Sequence, residues 1–302
     1  MGVGEIASVN KAGQVLRNLE NVADLAKMTK ARRLKTLFPE EWDKLKALTP
    51  LPDNFWTKLD ELGEAQGRFL ADFDAQQLQH FVENPNLVDS WKVLDDANVP
   101  AVLKRDPVRL GQVDNYLTKN PGTESAITKG LDDVGDYKEE FLNGIQNATE
   151  DLSNLNGRSA LPDEIADAVT KIKQHRNTVG NQNSGNYGYL EGNVGTQNLT
   201  GNIIRSGPKD ENMSEIFDAV EVNSQQVIEG PGAWLRNTDS EYKMLNRLAN
   251  DLNVVKGGRY PDVTGTLKII SERPYCPSCQ GVIQQFNEMF PNVNLILVDG
   301  VR

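Results

Sequence analysis

Apolar residues recur at helical spacing through the first 175 residues of the chain. The segments EEWDKLKAL and NFWTKLDEL share a W-x-K-L pattern, and LQHFVENPNLVDSWKVLDDANV is a further amphipathic stretch around Trp91. Prolines separate these stretches into short helices, and they stand at positions 39, 50, 52, 85, 100, 107 and 121. The pattern predicts a helical region over residues 1–175, in which the tryptophans are core residues.

The pattern changes in RNTVGNQNSGNYGYLEGNVG, residues 176–195, where Gly, Asn and Ser replace the helix formers. We therefore place a domain boundary after residue 175, so that residues 176–302 form a second domain. Within it, YGYLEG and LTGNIIRSG are typical of strands with turn residues between them. The segment SEIFDAV is predicted to be a short helix.

Helices and strands alternate at the end of the chain. TDSEYKMLNRLANDL has one apolar face, TGTLKIIS has the composition of a strand, and CPSCQGVIQQFNEMF is a second helix with Pro277 in its first turn. VNLILV is almost uniformly apolar, as expected for a strand covered on both faces. The last three elements predict a right-handed parallel crossover, and the C-terminal domain is therefore a small α/β layer fold.

Length and charge limit the classes of function. A chain of 302 residues is long enough for about two domains. The net charge is −11 overall, but it is +1 over Leu235–Arg302 and −12 over residues 1–234. This acidic bulk argues against a protein that coats nucleic acid, although a near-neutral C-terminal domain can still act on one nucleotide at a time.

The sequence also bears on where the protein acts. No apolar run approaches the roughly 18 residues of a membrane span, and residues 1–30 lack the apolar block of a signal peptide. If the protein leaves its cell, another system or a larger parent chain must carry it.

Both cysteines of the chain lie in RPYCPSCQG, residues 273–281. Their spacing puts the sulfurs of Cys276 and Cys279 on one side of the first turn of a predicted helix, where the positive potential of the helix N-terminus lowers thiol pKa. Two thiolates can bind one zinc ion but leave its shell of four ligands incomplete. The pair is not a secreted disulfide framework, and it suits a reducing compartment.

An upstream ligand is therefore needed. Neither histidine is well placed, since His80 belongs to the helical region, where we interpret it as structural, and His175 precedes the predicted α/β domain. TDSE, at the head of the other helix, is the better candidate. Asp239 and Glu241 are two residues apart and project in different directions, so one could bind the metal while the other reaches a substrate.

The order DSE followed 35 residues later by CPSC resembles the H-x-E … P-C-x-x-C signature of zinc-dependent nucleoside and nucleic-acid deaminases. SERPYCPSCQGVIQQFNEMFPNVNLILV is similar to the deaminase domains at the C-termini of bacterial polymorphic toxins, in which Asp often replaces the His. The resemblance covers roughly residues 176–302, and the helical region before them is similar to a pre-toxin segment. It implies a cytidine-deaminase-like three-layer sandwich, with a mixed sheet and helices on both faces.

The resemblance also implies the roles of individual residues. Asp239, Cys276 and Cys279 would bind Zn²⁺ with water as the fourth ligand, and Glu241 would transfer protons between that water, the ring nitrogen and the departing amine. Ser271 and Tyr275 are expected to contact the substrate.

The implied protein is a zinc-dependent hydrolase that converts a nucleobase, cytosine to uracil, in DNA or RNA or as a free nucleotide. As a toxin it would be secreted or delivered by a dedicated system or parent chain, act in the cytoplasm of a target cell, and be neutralised in the producing cell by a cognate immunity protein. Two other classes stay open: a housekeeping deaminase of free nucleosides, and a non-catalytic or redox interaction protein with a CxxC pair.

Two departures from the family pattern concern the same site. Tyr275 is inserted between Pro274 and Cys276, where the family usually has Pro-Cys directly. An aspartate ligand with two thiolates gives a zinc site a formal charge of −1, whereas a neutral histidine would give zero. We therefore expect a weaker Lewis acid whose water ionises at higher pH.

Simpler interpretations exist for each motif. TDSE fits a capping box, with Thr238 as N-cap and Glu241 three residues later. CPSC fits a thioredoxin-like redox pair, although it precedes only the last helix and strand and leaves DSE unexplained. A purely structural zinc site would need a fourth protein ligand, and the predicted second domain has no further Cys or His.

Overall fold

The computed structural model describes residues 22–48, 51–149, 152–179, 185–211 and 213–302, without the side chains of residues 22–29. The expectation about a signal peptide therefore falls largely on residues outside the described part, as does the centre of the Gly/Asn-rich stretch at 180–184. The chain divides into two compact units between Lys92 and Val93.

The first unit is helical, as predicted. Its helices are α1 (Val22–Leu37), α2 (Pro39–Lys46), α3 (Asp53–Glu61), α4 (Gln66–Asp72), α5 (Ala75–Glu83) and α6 (Leu87–Asp96), the last of which crosses into the second unit. Trp91 is fully buried and meets Phe69 edge to face, with ring centroids 5.1 Å apart. Trp56 is also buried, which confirms these two tryptophans as core residues, whereas Trp42 is half-buried.

The second unit combines further helices with a sheet. Its helices are α7 (Ala101–Lys104), α8 (Pro107–Lys119), α9 (Glu124–Asp133), α10 (Lys138–Asn147), α11 (Pro162–Val179), α12 (Ser240–Asp251) and α13 (Pro277–Met289). Its strands are β1 (Gly157–Ser159), β2 (Tyr187–Val194), β3 (Gln197–Thr200), β4 (Ile204–Arg205), β5 (Glu221–Val222), β6 (Trp234–Leu235), β7 (Thr264–Ser271) and β8 (Asn292–Val298).

The main sheet is mixed. Its strand order is β1-β8-β7-β2-β3, with β4 also paired to β2. Strand β8 is parallel to β1 and to β7, whereas β2 is antiparallel to β7, β3 and β4. The parallel pairing of β7 and β8 through α13 confirms the predicted crossover connection, and a helical region with a C-terminal α/β sheet confirms the predicted class.

Helices contact both faces of this sheet. Leu267 of β7 lies in one core cluster with Leu245 of α12 and Phe286 of α13. On the opposite face, Lys171 Nζ of α11 lies 4.3 Å from the ring centroid of Tyr189 in β2. Because side chains alternate along a strand, the two helix sets use different residues of the same strands.

The predicted helix SEIFDAV is wrong, because residues 214–220 are irregular. Side chains of α12 and α13 take over the hydrogen bonds that a helix would make. Asn246 Oδ1 accepts from the backbone N–H of Ile216 at 2.8 Å, and Gln285 Oε1 accepts from that of Asp218 at 2.8 Å. Ile216 and Phe217 are buried in the core cluster, so packing and these bonds outweigh local helix propensity.

The predicted domain boundary after residue 175 stays a prediction. Helix α11 crosses that position, and β1, which precedes it, extends the same sheet. Arg176 is bound through two nitrogens to the carboxylate of Glu272, which directly follows β7 and is 1% exposed. This ion pair fixes the last turn of α11 to the end of a central strand.

The lengths and compositions of the helices bear on whether any of them could span a membrane. Within the described ranges, none of them combines the length and apolar composition needed to cross a bilayer.

Candidate metal centre

The heads of α12 and α13 lie together at one end of the sheet. Cys276 is the N-cap of α13, and its sulfur accepts a hydrogen bond of 3.3 Å from the backbone N–H of Cys279. Asp239 is the N-cap of α12, and its side chain makes no capping hydrogen bond with any residue that the structure describes. The alternative capping box with Thr238 as N-cap is therefore wrong, and the Asp239 carboxylate is available to other partners.

Asp239, Cys276 and Cys279 form one compact cluster. The two sulfurs are 3.0 Å apart, and Asp239 Oδ2 lies 3.5 Å from each of them. Both cysteines are buried and free, whereas Asp239 is half-buried. The sequence-predicted metal ligands are thus brought together from two helices.

These residues fit a zinc ion. Thiolate sulfur and carboxylate oxygen are common zinc ligands, and three atoms bound to one ion at about 2.0–2.3 Å lie within about 4.6 Å of one another. The three ligand atoms here lie 3.0 to 3.5 Å from one another, which is within that limit. Three protein ligands are typical of a catalytic rather than a structural zinc site, because the fourth position stays open.

Glu241 lies beside the cluster and is 1% exposed. Its Oε2 is 3.5 Å from Cys279 Sγ and accepts a hydrogen bond of 3.2 Å from the hydroxyl of Ser240. Burial raises the pKa of Glu241, and the neighbouring Ser271 side chain acts against that rise. A carboxyl group whose pKa is raised above its ordinary value is better suited to donate a proton as well as to accept one.

The two cysteines differ in acidity. The side-chain hydrogen bond from Cys279 lowers the pKa of Cys276, although burial opposes this. The same hydrogen bond, together with burial, raises the pKa of Cys279 well above its usual value. Cys276 is therefore the sulfur that is more readily anionic.

Asn186, which sequence reasoning missed, organises the polar side of the site. Its Nδ2 donates to Glu241 Oε1 at 2.8 Å, to Ser240 Oγ at 3.0 Å and to Ser271 Oγ at 3.1 Å. Its Oδ1 accepts from the backbone N–H of Arg273 at 3.1 Å. Asn186 lies within the Gly/Asn-rich stretch of residues 176–195, where one more asparagine gives no distinctive signal.

The two expected substrate contacts lie in different environments. Ser271 is fully buried, and its hydroxyl donates to the carbonyl of Arg273 at 2.6 Å. The Tyr275 hydroxyl points into the sheet and donates to the carbonyl of Ile269 at 2.7 Å. Burial raises the pKa of Tyr275. Contact of either side chain with substrate stays a prediction.

Arg236 is the second residue that sequence reasoning missed. Its Nε lies 3.0 Å from Asp239 Oδ2, and its guanidinium lies 4.4 Å from the ring centroid of Trp234. Burial acts to lower the pKa of Arg236, but Asp239 and Cys276 outweigh it, so the pKa is raised. The signal in the sequence was only an arginine three residues before the aspartate.

A cavity of about 760 Å³ opens over the cluster, which is within the usual range for small-molecule sites. Asp239, Glu241 and the two cysteines line it, and its other lining residues include Arg205, Trp234, Arg236 and Arg273. The cluster is therefore accessible to a ligand, and the other charged groups near it are cationic.

The fold and this centre define an α/β domain with an Asp/Cys/Cys cluster beside a buried glutamate. Residues 165–300 match the model of the toxin-deaminase family, described as the BURPS668_1122 family of deaminases. This match confirms the predicted resemblance to deaminase toxin domains and indicates a hydrolytic deaminase. No curated protein and no solved structure matches the chain.

Proposed function

We propose that this protein is a zinc-dependent deaminase toxin that converts cytosine to uracil in nucleic acid. One observation carries the proposal: three ligand atoms from the heads of two helices lie within 4.8 Å of one another, and a buried carboxylate lies beside them. The mixed sheet, with α11 on one face and α12 and α13 on the other, supports a three-layer sandwich of the cytidine deaminase type.

Asp239, Cys276 and Cys279 would hold the metal. When bound there, zinc would supply a nucleophilic water at near-neutral pH. The half-buried Asp239 forms the side of the cluster nearest to solvent, whereas both cysteines are buried. A substrate in the cavity would thus approach the cluster from the side of Asp239, whereas the cysteines lie on its buried side.

Glu241 would move the protons of the reaction. Deamination adds the oxygen of water to C4 of cytosine and releases the exocyclic amine as ammonia. Glu241 takes a proton from the water, gives it to ring N3, and then delivers the second water proton to the amine as the C–N bond breaks. The hydrogen bonds from Asn186 and Ser240 hold the carboxylate in place for these transfers.

The lining of the cavity supports a polynucleotide over a free nucleoside. Trp234 is 45% exposed and lines the same cavity as Arg205 and Arg273. Proteins that bind single strands combine aromatic side chains, on which bases stack, with arginines that follow the phosphates. A free nucleoside would need neither a rim of arginines nor an exposed tryptophan.

The toxin role follows from the family match. A deaminase that edits nucleic acid harms any cell whose DNA or RNA it reaches, so the producing cell would need an immunity protein. Delivery into the cytoplasm of a target cell, by a dedicated system or a parent chain, would complete the role.

The test uses the full chain, purified with and without Glu241→Gln. Zinc content is measured first, and then uracil formation in single-stranded DNA, single-stranded RNA and free cytidine. We expect about one zinc per chain in both proteins, and uracil in a polynucleotide only with the unchanged protein. Uracil from free cytidine alone would favour a housekeeping deaminase, and absence of zinc would favour a redox pair.

A second experiment tests the toxin role. Expression of the full chain in the bacterial cytoplasm should stop growth and raise the frequency of C-to-T changes, while expression of the Glu241→Gln variant should do neither. Growth arrest without any increase in uracil would contradict nucleobase deamination as its cause.

A further inference from the structure

We infer that Arg236 is a positioning residue of the metal centre, which balances the charge of the Asp/Cys/Cys ligand set and orients its carboxylate. The inference rests on the proposed zinc function and goes beyond it, because Arg236 lies outside the deaminase signature in the sequence.

The charge of the ligand set creates the need for such a residue. Two thiolates, one carboxylate and one Zn²⁺ sum to −1, whereas a set with a neutral histidine sums to zero. Arg236 brings this centre back to formal neutrality. Because both side chains are largely buried, with 14% exposure for Arg236 and 16% for Asp239, solvent screens their attraction less than it would on the surface.

Arg236 contacts the carboxylate oxygen of Asp239 that faces the two cysteines. Asp239 Oδ2 is the oxygen that lies 3.5 Å from both sulfurs, and the same oxygen lies 3.0 Å from Arg236 Nε. Arg236 Nε is nevertheless buried and lacks an aligned hydrogen bond to any atom of the described chain. Arg236 thus offers a buried N–H donor directly beside the carboxylate oxygen that faces the two sulfurs.

Trp234 holds the guanidinium in place. The indole ring lies 4.4 Å from the Arg236 guanidinium carbon, which is within the range of a cation–π contact. The arginine is thus held between an aromatic ring and a carboxylate, and it has less freedom to swing into the cavity. This arrangement suits a fixed supporting charge better than a mobile contact to substrate phosphate.

Other groups that support a metal ligand typically change metal affinity by 10- to 100-fold when they are removed. We therefore expect Arg236→Gln to weaken zinc binding about tenfold, measured by chelator competition on the full chain. Arg236→Lys keeps the charge and should recover part of the affinity. Melting curves of the metal-free proteins verify that each variant is folded.

The decisive comparison repeats Arg236→Gln in a chain that carries Asp239→His. With a neutral histidine as ligand, the zinc site has no net formal charge for Arg236 to balance. The arginine substitution should then change zinc affinity by less than about twofold. An equal loss in both backgrounds would overturn the inference, as would unchanged affinity in the Arg236→Gln variant. So would a rise in KM for oligonucleotides with zinc affinity intact, since that result identifies a phosphate contact.

These outcomes are separable from failure of the proposed function. If the unchanged chain binds zinc and deaminates cytosine while Arg236→Gln has no effect on affinity, only the inference fails. If the unchanged chain binds no zinc, both fail together.

Discussion

Asn186 Nδ2 donates a hydrogen bond of 2.8 Å to Glu241 Oε1, across 55 positions of the sequence. The donor lies just before β2 and the acceptor lies in the first turn of α12, so the bond joins the sheet to the helix that carries Asp239. The amide holds the carboxylate that would move protons.

The first prediction concerns this bond. Asn186→Ala should lower kcat about tenfold or more while zinc content stays unchanged, because Glu241 loses its main orienting donor. Steady-state kinetics on an oligonucleotide, with metal analysis of the same sample, provide the measurement. Asn156→Ala is a matched control, since Asn156 also bonds to backbone groups but lies outside the metal centre. A loss of zinc with Asn186→Ala would instead indicate a structural role.

Asp239→Asn tests the ligand set. The substitution keeps the shape of the side chain but removes its charge, so zinc affinity and activity should decline together. Chelator competition and uracil formation are measured on the same preparations. If zinc content is unchanged, Asp239 is not a ligand.

Trp234→Ala tests the substrate surface. Loss of one base–aromatic stack costs about 1–3 kcal/mol, so KM for a single-stranded oligonucleotide should rise by about tenfold. Because Trp234 also contacts the Arg236 guanidinium, zinc content is measured on the same sample, and kcat, compared at full zinc occupancy, should stay similar. Ile228→Ala is a suitable control, because Ile228 is also exposed and lies in the loop that joins β5 to β6. Equal effects of the two substitutions would point to general damage to this hairpin.

Glu272→Gln tests how firmly α11 belongs to the α/β fold. Arg176 would lose its charged partner in a largely buried position, and such a loss costs about 3–5 kcal/mol. Chemical denaturation of the full chain should show this decrease in the transition that includes the sheet. As a control, Glu140→Gln removes the partner of Lys173, which lies on α11 like Arg176. Both side chains of this pair are 19% exposed, so the loss of stability should be about 1 kcal/mol or less.

Glu164 gives a pH-dependent prediction. Burial acts to raise the pKa of this carboxyl group, but hydrogen bonds from Arg158 and from the Leu161 backbone outweigh it and lower the pKa. A lowered pKa stabilises the folded protein at pH values above the unfolded pKa, and this stabilisation is lost as the pH falls through the folded pKa. Arg158 is 42% exposed, so we expect a cost of only about 1 kcal/mol for Glu164→Gln at pH 7. The difference between the two proteins should vanish well below pH 4, and a constant difference would contradict an ionic origin.

The sequence predicted the parts of the fold that depend on local patterns. The apolar faces of α12 and α13 and the uniform strand β8 depend on periodicity within one segment, which is why they could be found. The cluster of Asp239, Cys276 and Cys279 could be predicted because zinc chemistry restricts the residue types and spacing of ligands, even though the side chains come from the heads of two helices. That these residues bind a metal stays a prediction.

The features that the sequence did not predict depend on contacts between segments far apart in the chain. SEIFDAV has helical composition, but Asn246 and Gln285 bind its backbone from other helices, and no local pattern shows this. Strand β1 is only three residues long, and it forms because it pairs with β8. Asn186 and Arg236 belong to common residue types, and only their positions in space distinguish them.

The connection from β6 into α12 has a consequence for how this centre can change. Trp234, Arg236, Asp239 and Glu241 lie within eight consecutive residues, so an aromatic ring and the proposed balancing charge, metal ligand and proton carrier all share one short piece of backbone. An insertion or deletion of a single residue here would displace several of them at once. The length of this connection is thus constrained as strictly as its composition. Variation in substrate preference has more freedom in strand β4, which carries Arg205, and in the loop that carries Arg273.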